Sequence, residues 1–230
     1  MHAPAPPIIP AHLLLTAYRG GIFPMSDSRV DEDIYWVEPR ERAIIPLAGF
    51  RCSRSLAKAV RQDRFRVTCN HDFAGVVDAC ARPRPGHPES WISRRIAASY
   101  RALHMAGHAH SIECWRGGEL VGGLYGVSFS RTFCGESMFS RADNASKVAL
   151  AWLVVLLRRA GFALLDCQFI TEHLASLGAV AIDQAEYVTL LESTGHGPDA
   201  DLPGAYEALL AEAGGSSPGK LISQSLTQTS

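Results

Sequence analysis

The sequence predicts a mixed α+β fold whose sheet is largely antiparallel. Two observations lead to this prediction. Three strand-type segments follow one another closely between residues 109 and 139, and Gly117-Gly118 forms a hairpin turn between the first two. A helical segment then separates the third strand from a further strand at 163–169, which indicates one strand–helix–strand crossover.

The N-terminal half is predicted to alternate short helices with short strands. In chain order we expect helix 10–19, strands 34–36 and 43–46, helix 53–62, strand 65–70, and helices 72–82 and 91–106. Gly20 and Gly21 end the first helix, because glycine interrupts helical patterns. Ser53 is a favourable first cap for the second helix, since its hydroxyl can accept a bond from a free backbone N–H.

The C-terminal half carries the predicted sheet. In chain order we expect strands 109–116, 119–129 and 132–139, helix 145–160, strand 163–169, helix 171–177, strand 179–182 and helix 183–192. Helix 145–160 is expected to be capped by Asp143 or Asn144 and to stop at Gly161. Beyond Ser193 the composition turns to Gly, Ser, Thr and Gln, which predicts one helix at 203–213 and a disordered end.

Composition and charge indicate a soluble globular protein of the cytoplasm. The chain has 230 residues, of which 47% are hydrophobic and 20% charged. Its six cysteines form no Cys-x-x-Cys pair and no zinc spacing, so reduced thiols are expected. The first ten residues carry four prolines and no Lys or Arg, unlike a secretory signal. The longest apolar run, 148–157, is too short to cross a membrane.

Three polar residues interrupt strands that are otherwise apolar. Glu136 stands in the predicted strand 132–139, and its neighbours there are Phe133, Cys134, Met138 and Phe139. Burying an unpaired carboxylate costs several kcal/mol, so Glu136 needs a fixed partner or a charged ligand. Asp166 and Gln168 are two residues apart on the next predicted strand, where side chains alternate, so both are expected on one face. The three residues predict a site.

A basic stripe lies on the second predicted helix. Residues 40–66 hold eight basic and two acidic residues. Within them Arg54, Lys58 and Arg61 follow the spacing i, i+4, i+7 and share one helix face, and Leu56, Ala59 and Val60 occupy the other. Such a stripe is either a solvated helix face or a docking strip for phosphates.

Several motifs carry a resemblance to a known family. They are Ala17-Tyr18-Arg19-Gly20-Gly21-Ile22-Phe23-Pro24, Trp91-Ile92, Gly107-His108-Ala109-His110-Ser111-Ile112-Glu113, Gly135-Glu136-Ser137-Met138-Phe139-Ser140, Asp166-Cys167-Gln168, and His173-Leu174-Ala175-Ser176-Leu177-Gly178. Together they resemble the leucyl/phenylalanyl-tRNA–protein transferases. The resemblance covers about residues 11–192, and the motifs occur in the family's order and at its spacing.

The resemblance implies both a fold and an activity. It implies a small N-terminal domain (1–50), a core similar to the acetyltransferase (GNAT) superfamily (51–192) and a C-terminal extension (193–230). It also implies transfer of Leu, Phe or, less well, Met from aminoacyl-tRNA to proteins that begin with Arg or Lys, which marks them for degradation. We expect a monomer without cofactor, metal or membrane. Met25 and Val37 stand where many members carry Trp, and the tail beyond Glu192 has no clear counterpart.

The chemistry of such a transfer fits the three polar residues. An aminoacyl ester is already activated, so no nucleotide cofactor is needed, and the chain has no phosphate-cradling Gly-x-x-x-x-Gly-Lys loop. The amide oxygen of Gln168 can accept a hydrogen bond from the attacking amine if Asp166 holds its NH₂ group and stabilises the developing positive charge. Glu136 holds either the α-ammonium of the transferred residue or the Arg/Lys head of the acceptor. Hydrogen bonding at strand ends is the structural alternative for all three.

Apolar residues are needed to accept the Leu or Phe side chain. Trp91, Tyr125, Phe133, Met138 and Phe139 each suit a core, but as a set some of them must line this slot, and Ser137 is grouped with them.

Two other patterns are weaker evidence for a functional site. His104, His108 and His110 span a helix end and a strand start, so their side chains need not converge on a metal. Residues 158–163 match an acyl-CoA loop pattern, but they close a helix instead of opening one. A CoA-dependent N-acetyltransferase and a non-catalytic RNA-binding module therefore remain as alternatives to the transferase.

Overall fold

The computed structural model describes residues 8–31, 33–83, 89–195 and 199–227. Its helices are α1 (Ala11–Arg19), α2 (Arg54–Arg61), α3 (Phe73–Cys80), α4 (Arg94–Met105), α5 (Ala145–Arg159), α6 (Glu172–Ser176), α7 (Gln184–Thr194), α8 (Leu202–Ala213) and α9 (Pro218–Thr227). Its strands are β1 (Phe23–Met25), β2 (Tyr35–Val37), β3 (Glu41–Ile44), β4 (Arg66–Cys69), β5 (Ala109–Arg116), β6 (Glu119–Phe129), β7 (Thr132–Ser140), β8 (Leu164–Asp166) and β9 (Val180–Asp183).

Seven strands form one sheet in the order β4-β5-β6-β7-β8-β3-β9, and β1 and β2 form a separate antiparallel pair. Within the seven-stranded sheet only β7 and β8 are parallel, because α5 crosses over between them. The remaining neighbours are antiparallel. The predicted α+β class with a largely antiparallel sheet is confirmed, and the likeness to the GNAT superfamily stays a prediction.

Helices cover both faces of this sheet. One buried cluster joins the sheet to α2, α5, α8 and α9, and Trp152 and Leu153 of α5 belong to it. The second cluster joins the opposite face to α1, α3, α4 and α7, and Tyr100 and Tyr125 lie within it. The cavity described below is lined by residues of both clusters.

Local sequence signals agree well with the observed elements. Gly117 and Gly118 have φ of 57° and 84°, as their hairpin turn requires. The Ser53 hydroxyl accepts a hydrogen bond from the N–H of Leu56, so the predicted cap of α2 is confirmed. The helix at 145 begins where expected, but the side chain of Asn144 makes no capping bond and its φ is 68°.

Two elements differ from prediction in ways that matter for the site. The strand expected at 163–169 ends at Asp166, since the N–H of Cys167 donates to the carbonyl of Ala43 on β3 and Gln168 adopts a left-handed φ of 56°. The alternation argument for Asp166 and Gln168 was therefore wrong. The β1 strand was not predicted.

The C-terminal tail is more ordered than its composition suggests. Helix α8 matches the predicted helix at 203–213, but α9 contradicts the disordered end over residues 218–227. Ile222 and Leu226 of α9 are buried against the core, which stabilises a helix that composition alone disfavours. Strand β3 belongs to the main sheet although it precedes residue 50, and the proposed division into domains stays a prediction.

Two further observations concern the chain as a whole. In the described ranges no helix has both the length and the apolar character needed to cross a membrane. The six cysteines all lie in the described ranges, and none of them is joined to another by a disulfide there.

Candidate active site

The site lies at the point where strands β7 and β8 separate. Their parallel pairing covers three positions and ends at Cys134 and Asp166. Strand β7 continues to Ser140, whereas the chain after Asp166 turns away to bond with β3. The two strands therefore diverge. Beyond Cys134, β7 stays paired with β6 on one edge and borders a cavity on the other.

This cavity has a volume of about 780 Å³, within the usual range for small-molecule sites. Most of the predicted site residues line it: Trp91, Tyr125, Glu136, Ser137, Met138, Phe139 and Gln168. Phe133 does not, because its ring points into the core and packs edge-on against Phe162. Asp166 lies behind Gln168 and is fully buried.

Asp166 is paired with a residue that the sequence analysis missed. Nε and Nη2 of Arg42 donate to its two carboxylate oxygens at 2.7 Å, and both side chains are inaccessible to solvent. Arg42 also donates to the carbonyl of Gly21 and lies over the ring of Tyr187. Burial lowers the pKa of Arg42, but the hydrogen bonds and charge of Asp166 outweigh it and raise the pKa above its usual value. The pair is thus a fixed, two-bond ion pair.

Gln168 reaches the two carboxylates by a turn, not along a strand. Its backbone N–H donates to Oδ1 of Asp166 at 2.9 Å, and its Nε2 donates to Oε1 of Glu136 at 3.1 Å and lies 3.5 Å from Oδ2 of Asp166. Among the described residues its Oε1 accepts no hydrogen bond. The amide oxygen is consequently left available to a ligand in the cavity.

Glu136 is a buried carboxylate without a cation bonded to it in the described part of the chain. The hydroxyl of Tyr100 donates to its Oε2 at 2.7 Å, and the hydroxyls of Tyr100 and Tyr18 lie 2.6 Å apart. Burial raises the pKa of Glu136 to about 7, against the opposing effect of the Tyr100 hydrogen bond. Near neutral pH this group can therefore take up or release a proton.

Tyr125, which was predicted as an apolar residue of the slot, also presents a hydrogen-bond donor through its hydroxyl. It is buried, and no group in the described ranges forms a hydrogen bond with it. Its ring packs edge-on against Tyr100 and the residue lines the cavity. Since a buried hydroxyl without a partner is costly, it is well suited to bond with a ligand.

Further residues line the cavity beyond those predicted individually as site residues. They are Phe23, Met25, Phe169, Thr171, His173 and Leu174, among others. Phe23 and Phe169 meet edge to face with their ring centroids 5.7 Å apart. Phe23, His173 and Leu174 stand in the family motifs, and Met25 stands where many members carry Trp, so the resemblance offered signals for this part of the wall.

The basic stripe of α2 lies outside the cavity. Arg54, Lys58 and Arg61 are exposed, whereas Leu56, Ala59 and Val60 are buried, so the predicted helix faces are confirmed. The N–H of Arg51, just before α2, donates to the carbonyl of Leu177 at 2.9 Å. This bond joins the start of the stripe to the end of α6, whose His173 and Leu174 line the cavity.

His104, His108 and His110 line a second cavity, but the side chains of His104 and His110 bond other groups there. His104 bonds the carbonyl of Ala109 through Nδ1 and stacks on Phe73, and His110 bonds the side chain of Asn70. Across the described ranges, no group of three or more His, Cys, Asp or Glu side chains is arranged to hold a metal ion.

Comparison with known sequences identifies the family. The model of the leucyl/phenylalanyl-tRNA protein transferase family matches residues 44–192, and the model of its N-terminal domain matches 9–40. This chain belongs to that family. The family is one of aminoacyltransferases, which move an aminoacyl group from tRNA to protein, and the predicted enzyme class is confirmed. The family model ends before α8 and α9.

Several named leucyl/phenylalanyl-tRNA–protein transferases are similar to the chain. The protein from Novosphingobium aromaticivorans is 55% identical over 98% of each chain. That from Rhizorhabdus wittichii is 61% identical over 78% of this chain and 73% of its own, and that from Zymomonas mobilis 58% over 81% and 69%. A solved structure of a functionally unknown Staphylococcus epidermidis protein matches with a TM-score of 0.39 at 12% identity over 79% of this chain and 67% of the other, which supports no conclusion.

Proposed function

We propose that this protein transfers Leu or Phe, and less well Met, from aminoacyl-tRNA to the α-amino group of proteins that begin with Arg or Lys, which marks them for degradation. The observation that carries the proposal is the position of Gln168. Its amide bridges Glu136 and Asp166 beside a largely apolar cavity. We expect the enzyme to act in the cytoplasm as a monomer.

The cavity suits an aminoacyl ester of an apolar residue. Met138, Phe139, Leu150 and Leu153 line it and provide apolar contacts for a Leu, Phe or Met side chain. A volume of about 780 Å³ exceeds the needs of such a side chain, so room remains for the ester and a terminal ribose.

The reaction requires an amine to attack an ester carbonyl. The acceptor α-amine has a pKa of about 7.7–8.0, so a fraction is neutral at pH 7 and can act as the nucleophile. Its nitrogen forms an amide bond to the carbonyl carbon, the ester C–O bond breaks, and the ribose hydroxyl leaves with a proton. Holding the amine against the ester is the main catalytic task.

The three polar residues take distinct roles in this step. Oε1 of Gln168 accepts a hydrogen bond from the attacking amine, and Asp166 keeps the glutamine in place through the bond to its backbone N–H. Because both oxygens of Asp166 are bonded by Arg42, Glu136 is the carboxylate that stabilises the positive charge developing on the nitrogen. The unpaired hydroxyl of Tyr125 donates to the oxygen of the ester carbonyl.

Binding of the tRNA is supported by the stripe on α2. Three exposed basic side chains follow one helix face, and the segment before α2 is bonded to the end of α6 at the cavity wall. We infer that the tRNA backbone follows this face while its aminoacyl end enters the cavity.

A labelled-transfer assay tests the proposal. Radiolabelled leucyl-tRNA is offered with a model protein beginning with Arg, and matched proteins beginning with Lys or Asp serve as comparison. We expect label on the Arg and Lys proteins and little on the Asp protein. Acetyl-CoA in place of leucyl-tRNA should give no transfer; equal labelling from acetyl-CoA would overturn the proposal.

A further inference from the structure

Helix α5 begins at the cavity with one backbone N–H, that of Lys147, which has no partner among the described residues. Asn144 occupies the cap position, but its side chain makes no capping bond, and the first turn contains no acidic residue. Because α5 has fifteen residues, its N-terminus carries a substantial positive partial charge.

A nearly buried hydroxyl at the same turn also lacks a partner. Ser146 lines the cavity and is only 8% exposed. Its backbone N–H bonds the hydroxyl of Ser140, but no group in the described ranges bonds the hydroxyl of Ser146 itself. The hydroxyl of Ser146 is therefore available to bond with a polar ligand in the cavity.

Two basic side chains flank this turn. Arg141 lines the cavity, bonds the carbonyl of Leu120 and lies over the ring of Phe139, which holds its guanidinium close to the opening. Lys147 follows Ser146, and after burial its charge is the second cause of the lowered pKa of His173 on the facing wall. The exposed Asp143 is the only acid between residues 140 and 147. The free N–H group of Lys147, the Ser146 hydroxyl and the two cations together form a donor set for an anion.

We infer that the first turn of α5 binds the phosphate on the 5′ side of the nucleoside that carries the amino acid. The inference rests on the proposed function, in which the ester lies beside Gln168 and Glu136. The same cavity extends from those residues to Ser140, Arg141 and Ser146, so a terminal nucleoside whose ester is at one end presents its first phosphate at the other.

Two minimal donors test the inference. They are the leucyl ester of adenosine and the leucyl ester of adenosine 5′-monophosphate, which differ only by the phosphate in question. Each is offered to the wild-type protein with an acceptor beginning with Arg. We expect the phosphorylated ester to have a KM about tenfold lower, with a similar kcat, as charge-assisted hydrogen bonds of ordinary strength would give.

A double variant then tests whether the difference in KM arises at the first turn of α5. In Ser146→Ala/Lys147→Gln the ratio of the two KM values should fall towards one. The matched control is Ser223→Ala/Lys220→Gln, which changes a nearly buried serine and an exposed lysine of α9, and its ratio should equal that of the wild type. If the first variant does not fold, inhibition of transfer from leucyl-tRNA by adenosine 5′-monophosphate relative to adenosine in the wild type decides the point.

The outcomes separate this inference from the proposed function. Equal KM values for the two esters in the wild type would overturn the phosphate site and leave the transfer activity standing. An unchanged ratio in the α5 variant would likewise overturn it. Failure of the wild type to use leucyl-tRNA or either ester would overturn the proposed function, and the phosphate site would fall with it.

Discussion

The guanidinium of Arg42 meets the carboxylate of Asp166 in two hydrogen bonds of 2.7 Å, and neither side chain is exposed. Arg42 comes from β3 and Asp166 from the end of β8, so the pair fastens two neighbouring strands directly behind Gln168. Removing one partner of a buried ion pair leaves the other charge without compensation, which costs more than the intact pair contributes.

Arg42→Met should therefore lower the free energy of unfolding by about 3–5 kcal/mol. Urea unfolding followed by circular dichroism measures this quantity. The control is Arg159→Met, which breaks an ion pair with Glu212 on the surface and should leave the stability nearly unchanged. The double variant Arg42→Met/Asp166→Leu should lose less stability than the two single variants added together, since it leaves no unpaired charge in the core. If Arg42→Met lost as little stability as Arg159→Met, Arg42 and Asp166 would not form a buried ion pair.

The raised pKa of Glu136 predicts a loss of stability as pH rises. Its pKa is about 7 in the folded protein, against about 4.5 when the group is free, because burial disfavours the charged form. The folded state thus keeps a proton that the unfolded state has already released. This contribution is fully present below pH 4.5 and is lost as pH rises through 7, a change of the order of 3 kcal/mol.

Unfolding free energies measured between pH 4.5 and 8 test this dependence. Glu136→Gln should reduce the slope, although not to zero, because burial also raises the pKa of Glu113. Glu186→Gln changes an exposed glutamate on α7 and should keep the wild-type slope. Identical slopes in wild type and Glu136→Gln would show that folding does not raise the pKa of Glu136.

Much of the fold was predictable because its signals are local. A glycine pair marks the β5–β6 hairpin, a serine cap starts α2, and the apolar and basic faces of α2 follow directly from residue spacing. Glu136 was identified by its contrast with an apolar strand, and it does line the cavity. Such signals lie within a few residues of the feature that they predict.

The missed features depend on contacts between distant parts of the chain. Arg42 and Asp166 are 124 residues apart, and only the placement of β3 beside β8 brings them together. Gln168 reaches its partners through a left-handed turn that asparagine and glycine favour more than glutamine, so alternation along a strand gave the correct grouping for a wrong reason. Helix α9 was missed because docking against the core, not composition, stabilises it.

The docking of α9 depends on a close approach at Gly219. A methyl group at this position would meet the carbonyl oxygen of Val60 and the carboxylate of Asp63, both at the end of α2. Gly219→Ala should therefore cost about 1–3 kcal/mol in urea unfolding, because α9 must move away from α2. Gly20→Ala is the control, since its nearest atom lies 3.4 Å away and its φ of −85° suits alanine. Equal stabilities of the two variants would mean that α9 does not approach α2 so closely.

The catalytic role of Gln168 predicts a large loss of rate from a small change. Gln168→Ala removes the amide that bridges the carboxylates, and kcat should fall roughly 30- to 1000-fold, corresponding to about 2–4 kcal/mol of transition-state stabilisation. Asp166→Ala should give a loss in the same range, and the double variant should be far from additive because the two residues act as a unit. Single-turnover transfer from leucyl-tRNA measures the rates.

A control variant at a second glutamine, Gln184, distinguishes a loss of catalysis from a loss of folding. Gln184 bonds the carbonyl of Gly21 and does not line the cavity, so Gln184→Ala should keep its rate. Thermal melting of all variants checks that each is folded. A Gln168→Ala variant that folds and turns over normally would remove Gln168 from the mechanism.

The basic stripe of α2 predicts a particular dependence of tRNA binding on salt. If Arg54, Lys58 and Arg61 each contact a phosphate, binding releases condensed counterions, and affinity falls as salt rises. Changing all three to Ala should weaken binding and flatten the slope of log affinity against log salt by about 2 to 3 units. Filter binding of leucyl-tRNA across a range of salt concentrations measures the slope. The rate at saturating tRNA should change little, because the stripe lies outside the cavity.

A control and a truncated substrate complete the test of the stripe. Arg19→Ala/Arg159→Ala removes two exposed arginines outside α2 and should leave the slope as in the wild type. If the stripe contacts only phosphates of the acceptor end, the rest of the tRNA is not needed for these contacts, and a leucylated acceptor-stem mimic should remain a substrate. The triple variant should lose affinity for this mimic to the same extent as for the full tRNA. A solvated helix face predicts an unchanged slope in the triple variant. The measured slope therefore decides whether α2 binds phosphates or simply faces water.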